Sequence, residues 1–436
     1  MLKRILCIII TAAIVFSCCI VCSAKDNQPE SAAQIKSLGQ MTHTMVSEID
    51  VNQFRQQIVN DINYESLTLK YGFGYYRGSL PMCEITKIVF TNQHPNGYDE
   101  KWFANVTDTE EITGYLVGTA VYIVGDKIYT HEQTGYMLAG SNTYGEPLWC
   151  NLKEIVGLEN LDVSRTVKFD RMFYGNQYLT ELDLNNWDMS NATSLRLMFG
   201  LCNNLETIRI NQWDVSSVED FSAMFQGNNW VGDMSLKNID VSQWNTQSAV
   251  QMNHIFYGCA ELKSIDVSNW DVRNVITFSH MFADCHNLRN IDLTKWETNS
   301  VISFDAMFND CYSLTTINIS NLQTSTCQQF SQLFEDCINL QEIIGIECLD
   351  TSNASSYAFS EMFKGCSSLT SLNLSQWDVS RADNMARMFA YCPQLKSLDV
   401  TGWDISNVEF ITEMFYATNN VIIKGIEDDL LLSLRN

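Results

Sequence analysis

Phe173, Phe199, Phe225, Phe256, Phe282, Phe308, Phe334, Phe363, Phe389 and Phe415 each follow Met, Ile or Leu, and seven of the nine intervals between them are 26 residues. The other two are 31 and 29. A period between about 20 and 50 residues is the signature of a solenoid, whose units bury their apolar faces only by stacking on neighbours. Most of the chain is therefore a repeated surface. Such a surface suits binding better than chemistry.

Each unit carries further columns. Apolar residues recur in the pattern Leu288, Ile291, Leu293, with the last two alternating around Asp292. Alternation of this kind is a short strand with Ile291 and Leu293 inward. Stacked across coils, these strands are expected to form a parallel sheet on one face. A Trp follows at 187, 213, 244, 270, 296, 377 and 403, and Leu322 replaces it in one coil. Next comes an Asp-apolar-Ser turn, as in Asp188-Met189-Ser190, whose side chains satisfy turn amides. The return segment to Met-Phe reads as a short helix or 3-10 turn. Trp187, Trp213, Trp244, Trp270, Trp296, Trp377 and Trp403 are expected to form the core with the Phe column and the back-side Met.

Seven of the 15 cysteines stand three residues after the repeat Phe: Cys202, Cys259, Cys285, Cys311, Cys337, Cys366 and Cys392. Coils stack about 5 Å apart, whereas disulfide-bonded Cβ atoms sit about 3.8 Å apart. Asn176, Asn228 and Thr418 fill the same slot without a thiol. A column of buried, unpaired thiols is the expectation. No Cys-x-x-Cys or His-rich spacing marks a metal site. The six His, among them His254, His280 and His286 beside the Met-Phe elements, read as background, and we expect neither a cofactor nor catalysis.

The first 24 residues read as a secretory signal, with Lys3 and Arg4 ahead of an apolar run and small residues at Ser23-Ala24. Val15-Phe16-Ser17-Cys18 offers a competing reading as a lipid attachment site. No transmembrane segment is expected in the mature chain. Residues 25–65 carry apolar residues at helical spacing and form a helical N-terminal segment. Residues 66–148 form a small β-rich cap, with a hairpin expected at Gly125-Asp126. The solenoid follows at 149–424 and a C-terminal cap at 425–436. A formal charge of −24 argues against nucleic acid as a partner.

One column points outward between the two inward strand positions: Asp183, Arg209, Asp240, Asp266, Asp292, Asn318, Asn373 and Asp399. This is the candidate binding face. Asp240, Asp266 and Asp292 fall in consecutive coils, where like charges repel. A cation or a basic partner would neutralise them; bonding to a neighbouring loop is the alternative.

The composite pattern L-x-x-L-D-L-S-x-W-D-x-S-x-V-x-x-x-x-x-M-F-x-x-C resembles the 26-residue leucine-rich repeats of BspA-like bacterial surface proteins. The resemblance covers about residues 149 to 424. It implies a leucine-rich-repeat solenoid with a short parallel strand plus a helical or 3-10 turn per coil. It also implies a secreted or cell-surface, adhesin-like protein that binds an extracellular protein or glycan of a host or neighbouring microbe. A structural, self-assembling envelope protein is the alternative.

Overall fold

Residues 66–70, 75–141, 148–227 and 233–425 are described in a computed structural model of the chain. The leader, the helical segment expected at 25–65 and all but the first residue of the C-terminal cap lie outside the described residues.

The cap sheet is built from β1 (Lys87–Thr91), β2 (Glu100–Phe103), β3 (Thr113–Val117) and β4 (Ala120–Val124). Its order is β2-β3-β4-β1, continued by β6 (Glu154–Val156). The first two pairings are antiparallel, and β4-β1 and β1-β6 are parallel. The parallel half carries the hydrogen-bonding direction of the coils into the cap. The hairpin lies one turn earlier than the sequence suggests. Val117 pairs with Ala120 around Gly118, whose φ of 58° suits a two-residue hairpin turn. At Gly125 the chain leaves the sheet instead. β5 (Ile128–Tyr129) pairs in parallel with β7 (Leu161–Asp162).

Further on, β8 (Glu181–Asp183) pairs with β9 (Thr207–Arg209), and β10 (Thr316–Asn318) with β11 (Glu342–Ile344). β12 (Ser371–Asn373), β13 (Ser397–Asp399) and β14 (Ile422–Lys424) complete a third parallel set. The strand face is therefore broken into patches rather than one continuous sheet. Ile265 and Ile291 occupy strand positions and are buried, but no strand pairing joins them among the described residues.

The Met-Phe segment supplies the continuity. In the coil around Phe282, the amides of Phe278, His280, Phe282 and Asp284 donate to Ser303, Asp305, Met307 and Asn309 of the next coil at 2.8–3.0 Å. The amides of Met281, Ala283 and Cys285 turn inward and donate three residues back. This alternation depends on left-handed residues two before and two after the Phe, such as His280 (φ 56°) and Asp284 (φ 58°). The residue two before Phe is left-handed in all ten coils, from Arg171 to Glu413. A left-handed residue every fourth position breaks a helix. The helix or 3-10 turn expected here is accordingly a chain of tight turns that bond to the next coil. The same ladder begins upstream of residue 149. Leu138 donates to Met172 and Gly140 to Tyr174, and Tyr136 (φ 58°) is left-handed, so Met137-Leu138 stand where later coils carry Met-Phe.

Between the ladders lies the core. All ten repeat Phe are buried, and their rings stack without a break from Phe173 to Phe415. Centroid separations run from 5.3 to 6.1 Å, even across the two long coils. These separations lie in the range of favourable offset stacking.

Candidate functional site on the strand face

Trp and Cys lock successive coils together beneath this face. The Trp270 indole donates to the Val241 carbonyl at 3.1 Å, and Trp187, Trp213, Trp244, Trp296, Trp377 and Trp403 make the equivalent bond. The last of these is only partly buried. Each column thiol is buried and donates to the carbonyl of the preceding coil's Phe, as in Cys311 to Phe282 at 3.2 Å. Cys202, Cys259, Cys285, Cys337, Cys366 and Cys392 repeat this at 3.1–3.5 Å. Asn176 donates to Leu138 and Thr418 to Phe389 from the same slot. The slot therefore selects a small buried donor. Burial pushes the Cys202 and Cys392 thiols up to about 12. All eleven cysteines among the described residues are free.

The outward column sits one residue per coil, and most of its members cap the turn that follows. Asp266 Oδ1 accepts the Ser268 amide at 3.0 Å and the Ser268 hydroxyl at 2.7 Å. Asp240, Asp292, Asn318, Asn373 and Asp399 receive Ser242, Thr294, Ser320, Ser375 and Thr401 in the same way. Two members meet directly: Arg209 Nη1 lies 3.1 Å from Asp183 Oδ2. Lys424 pairs with Asp399 at 2.8 Å. Turn hydroxyls and amides hold the Asp266 and Asp292 carboxyls below the usual range. Lys424, aided by Thr401, lowers Asp399 to about 2. Among the described residues, no group of three or more His, Cys, Asp or Glu is arranged to hold a metal ion.

Two concavities open on this face and share Thr207 and Arg209. The smaller, about 240 Å³, runs from Gly157 and Glu159 to Asp183 and Arg209. The larger, about 640 Å³, is lined by Arg209, Asn211, Asn238, Asp240, Ser242, Ser264 and Asp266. It lies where the strand ladder is open: a single bridge, Thr207 to Asn238, crosses this stretch. Arg209 thus stands between two grooves whose other charged groups are carboxylates. The sequence placed Arg209, Asp240 and Asp266 in one column; it gave no sign of the groove.

A second acidic column went unread. Asp284, Asp310 and Asp336 occupy the left-handed position two after Phe in three consecutive coils. Burial, with the neighbouring Asp284, raises Asp310 to about 6, and burial also raises Asp336. The His286 ring stacks on Tyr312 at 4.5 Å and lies 3.6 Å from Asp284, the carboxylate that raises its pKa. The signal was present as Asp at one fixed offset from Phe.

Parallel strands, a hydrogen-bonded turn ladder and an unbroken aromatic stack define a repeat solenoid. The model of the family described as "Mycoplasma protein of unknown function, DUF285" matches residues 149–243, 228–345 and 314–426, more than half of the chain, and the chain belongs to that family. No curated protein matches it. Among solved structures, a leucine-rich repeat protein from Eubacterium ventriosum is 15% identical, with a TM-score of 0.34 over 69% of this chain and 85% of that one. A leucine-rich cell surface protein from Faecalibacterium prausnitzii is 13% identical, with a TM-score of 0.27 over 85% and 93%. An internalin from Listeria monocytogenes is 11% identical, with a TM-score of 0.24 over 80% and 88%. At such scores the architecture rests on the chain's own ladders.

Proposed function

We propose that this is a non-catalytic binding protein of the BspA-like, 26-residue repeat type, exported to the cell surface or beyond. It recognises an extracellular protein or glycan through the strand face. In this reading residues 1–24 direct export, 66–148 close the first coil and 149–424 carry recognition, with the N-terminus free or lipidated. Among the described residues, no helix is long and apolar enough to cross a membrane. The observation that carries the reading is the groove of about 640 Å³ where the ladder opens beside Arg209. It combines unpaired strand edges with Asn, Ser and Asp side chains, which suits a polar partner. Arg209 is its central positive group, and Asp240 and Asp266 supply acceptors.

The test uses residues 25–436 against a panel of purified extracellular-matrix proteins and microbial glycans. A ligand that binds should lose about tenfold or more in affinity to Arg209→Glu, while the charge change Glu413→Gln, remote from the groove, leaves it unaltered. Undiminished binding by Arg209→Glu, or no ligand across the panel, would sink the proposal.

A further inference from the structure

Cys83 and Cys150 lie outside the column of buried thiols, and the fold brings them together. β1 and β6 pair in parallel with Lys87 opposite Glu154, an offset of 67 residues. The same offset, carried back along both segments, sets Cys83 opposite Cys150. The hydrogen bonds follow it. The Lys153 amide donates to the Thr86 carbonyl at 2.9 Å, and Asn151 Nδ2 to the Cys83 carbonyl at 2.6 Å. Cys150 Sγ lies 3.9 Å from that same carbonyl oxygen. Partners in a parallel pair stand about 4.8 Å apart, inside the Cα range of about 4.4–6.8 Å that a disulfide spans.

Two features separate this pair from the column. Each column thiol is buried and turned to a Phe carbonyl, as Cys311 is to Phe282. Cys83 and Cys150 are both partly exposed, so an oxidant can reach them. Cys83 also stands in the 3-10 turn Met82–Glu84, ahead of β1, where strand pleating does not dictate the direction of its side chain. Burial raises the Cys150 thiol, and the Cys83 side chain hydrogen-bonded to it adds to the effect.

We propose that Cys83 and Cys150 are a modification site, closing into a disulfide that staples the cap to the first coil once the chain is exported. The oxidising surroundings rest on the export reading above. The oxidant is a small-molecule or protein disulfide. One protein thiolate attacks a sulfur of that disulfide and releases the other sulfur as a thiol. The second protein thiolate then displaces the mixed disulfide. Two protein thiols lose two protons and two electrons, and the oxidant is reduced to two thiols. The bond closes a loop of 67 residues and holds β1 against β6. It stands next to Trp149, whose indole and amide occupy the Met137 and Ala139 carbonyls where the turn ladder begins. A solenoid depends on capped ends, and the staple secures this one.

The test places the reduced chain, residues 25–436, in a buffer of oxidised and reduced glutathione. After alkylation of the free thiols, a non-reducing digest should yield a linked peptide pair joining Cys83 to Cys150, with two fewer alkylated cysteines than in the reduced chain. The bond should persist against about a tenfold excess of reduced glutathione. The linked chain should melt at a higher temperature than the reduced one. Cys83→Ser and Cys150→Ser should each abolish the pair while melting close to the reduced parent, which shows that they fold. The full chain, acid-trapped and alkylated directly from cells that express it, should carry the same pair. Absence of the linked pair in the buffer overturns the proposal and leaves the export reading intact, as does a bond that takes in Cys348 or a column cysteine instead. A bond in the buffer with both thiols free in the chain from cells overturns it through the export reading.

Discussion

At the scale of single residues, the fixed columns are explained by which group each buried backbone atom needs. The Phe282 carbonyl accepts the Cys285 amide of its own coil and the Cys311 thiol of the next. Where Cys is absent, Asn176 and Thr418 keep the donor, so the slot is chosen for hydrogen bonding as well as size. Truncating Cys311 to Ala loses that donor and leaves a small void, at a cost of about 1–2 kcal/mol. Cys311→Ser keeps a donor and should cost less. Urea melts of the two variants check the order, and a less stable Ser variant would rule out the donor role. Asp266 and its column show the same economy, because one carboxylate oxygen satisfies a turn amide and a hydroxyl together. That bonding accounts for Asp in this column without a bound cation.

At the scale of the element, the coil depends on backbone that few residues adopt readily. A left-handed residue stands two before each Phe and, except at Phe225, two after it, and most of those two before it are bulky. Such a conformation costs about 1–2 kcal/mol for a non-glycine residue. The ladder bonds to the next coil offset that cost, so isolated coils are not expected to hold the shape. Where one coil's backbone closely approaches the next, glycine is needed. Gly345 has a φ of 84°, and an added Cβ would stand 2.3 Å from the Ser320 Cα in the preceding coil. Gly345→Ala should lower stability by about 2 kcal/mol or more, combining strain with overpacking. Thermal melts measure this, and an unchanged midpoint would mean that the coils separate easily there. The Met-Phe period was legible because packing repeats the same residue types. The local conformation was not, since Arg171, Leu197, His254 and Gln332 share a left-handed φ without sharing chemistry.

For the whole molecule, stacking turns small local charges into columns. Burial raises Glu335 despite the adjacent Lys364, and raises Asp310 to about 6. A carboxyl raised on folding binds its proton more tightly in the native state. Its contribution to stability is therefore full at low pH and lost as pH rises through the folded value. The turn-capping Asp266, Asp292 and Asp399 are lowered and act in the opposite sense, their contribution lost as pH falls below the ordinary carboxylate range. Burial lowers His254 to about 4 and opposes the raised carboxyls, because its contribution is lost as pH falls through the same window. The raised carboxyl is read by comparison: the stability of Asp310→Asn relative to the parent chain should grow from about pH 5 to pH 7.5 in thermal melts. A difference that stays constant or shrinks with pH across this window would contradict the assignment.

The sequence alone determined the repeat, its register and its inward residues, because a solenoid coil buries the same positions each time and so repeats them in the text. It also marked the outward Asp column by alternation about the strand. Tertiary structure decided what lies between coils. The direction of the turn ladder and the break in the strand face beside Arg209 both arise from backbone groups. Every residue carries such groups, so no residue type announces them. Met137-Leu138 belong to the stack for the same reason: the amide ladder reaches them, although the 26-residue period does not.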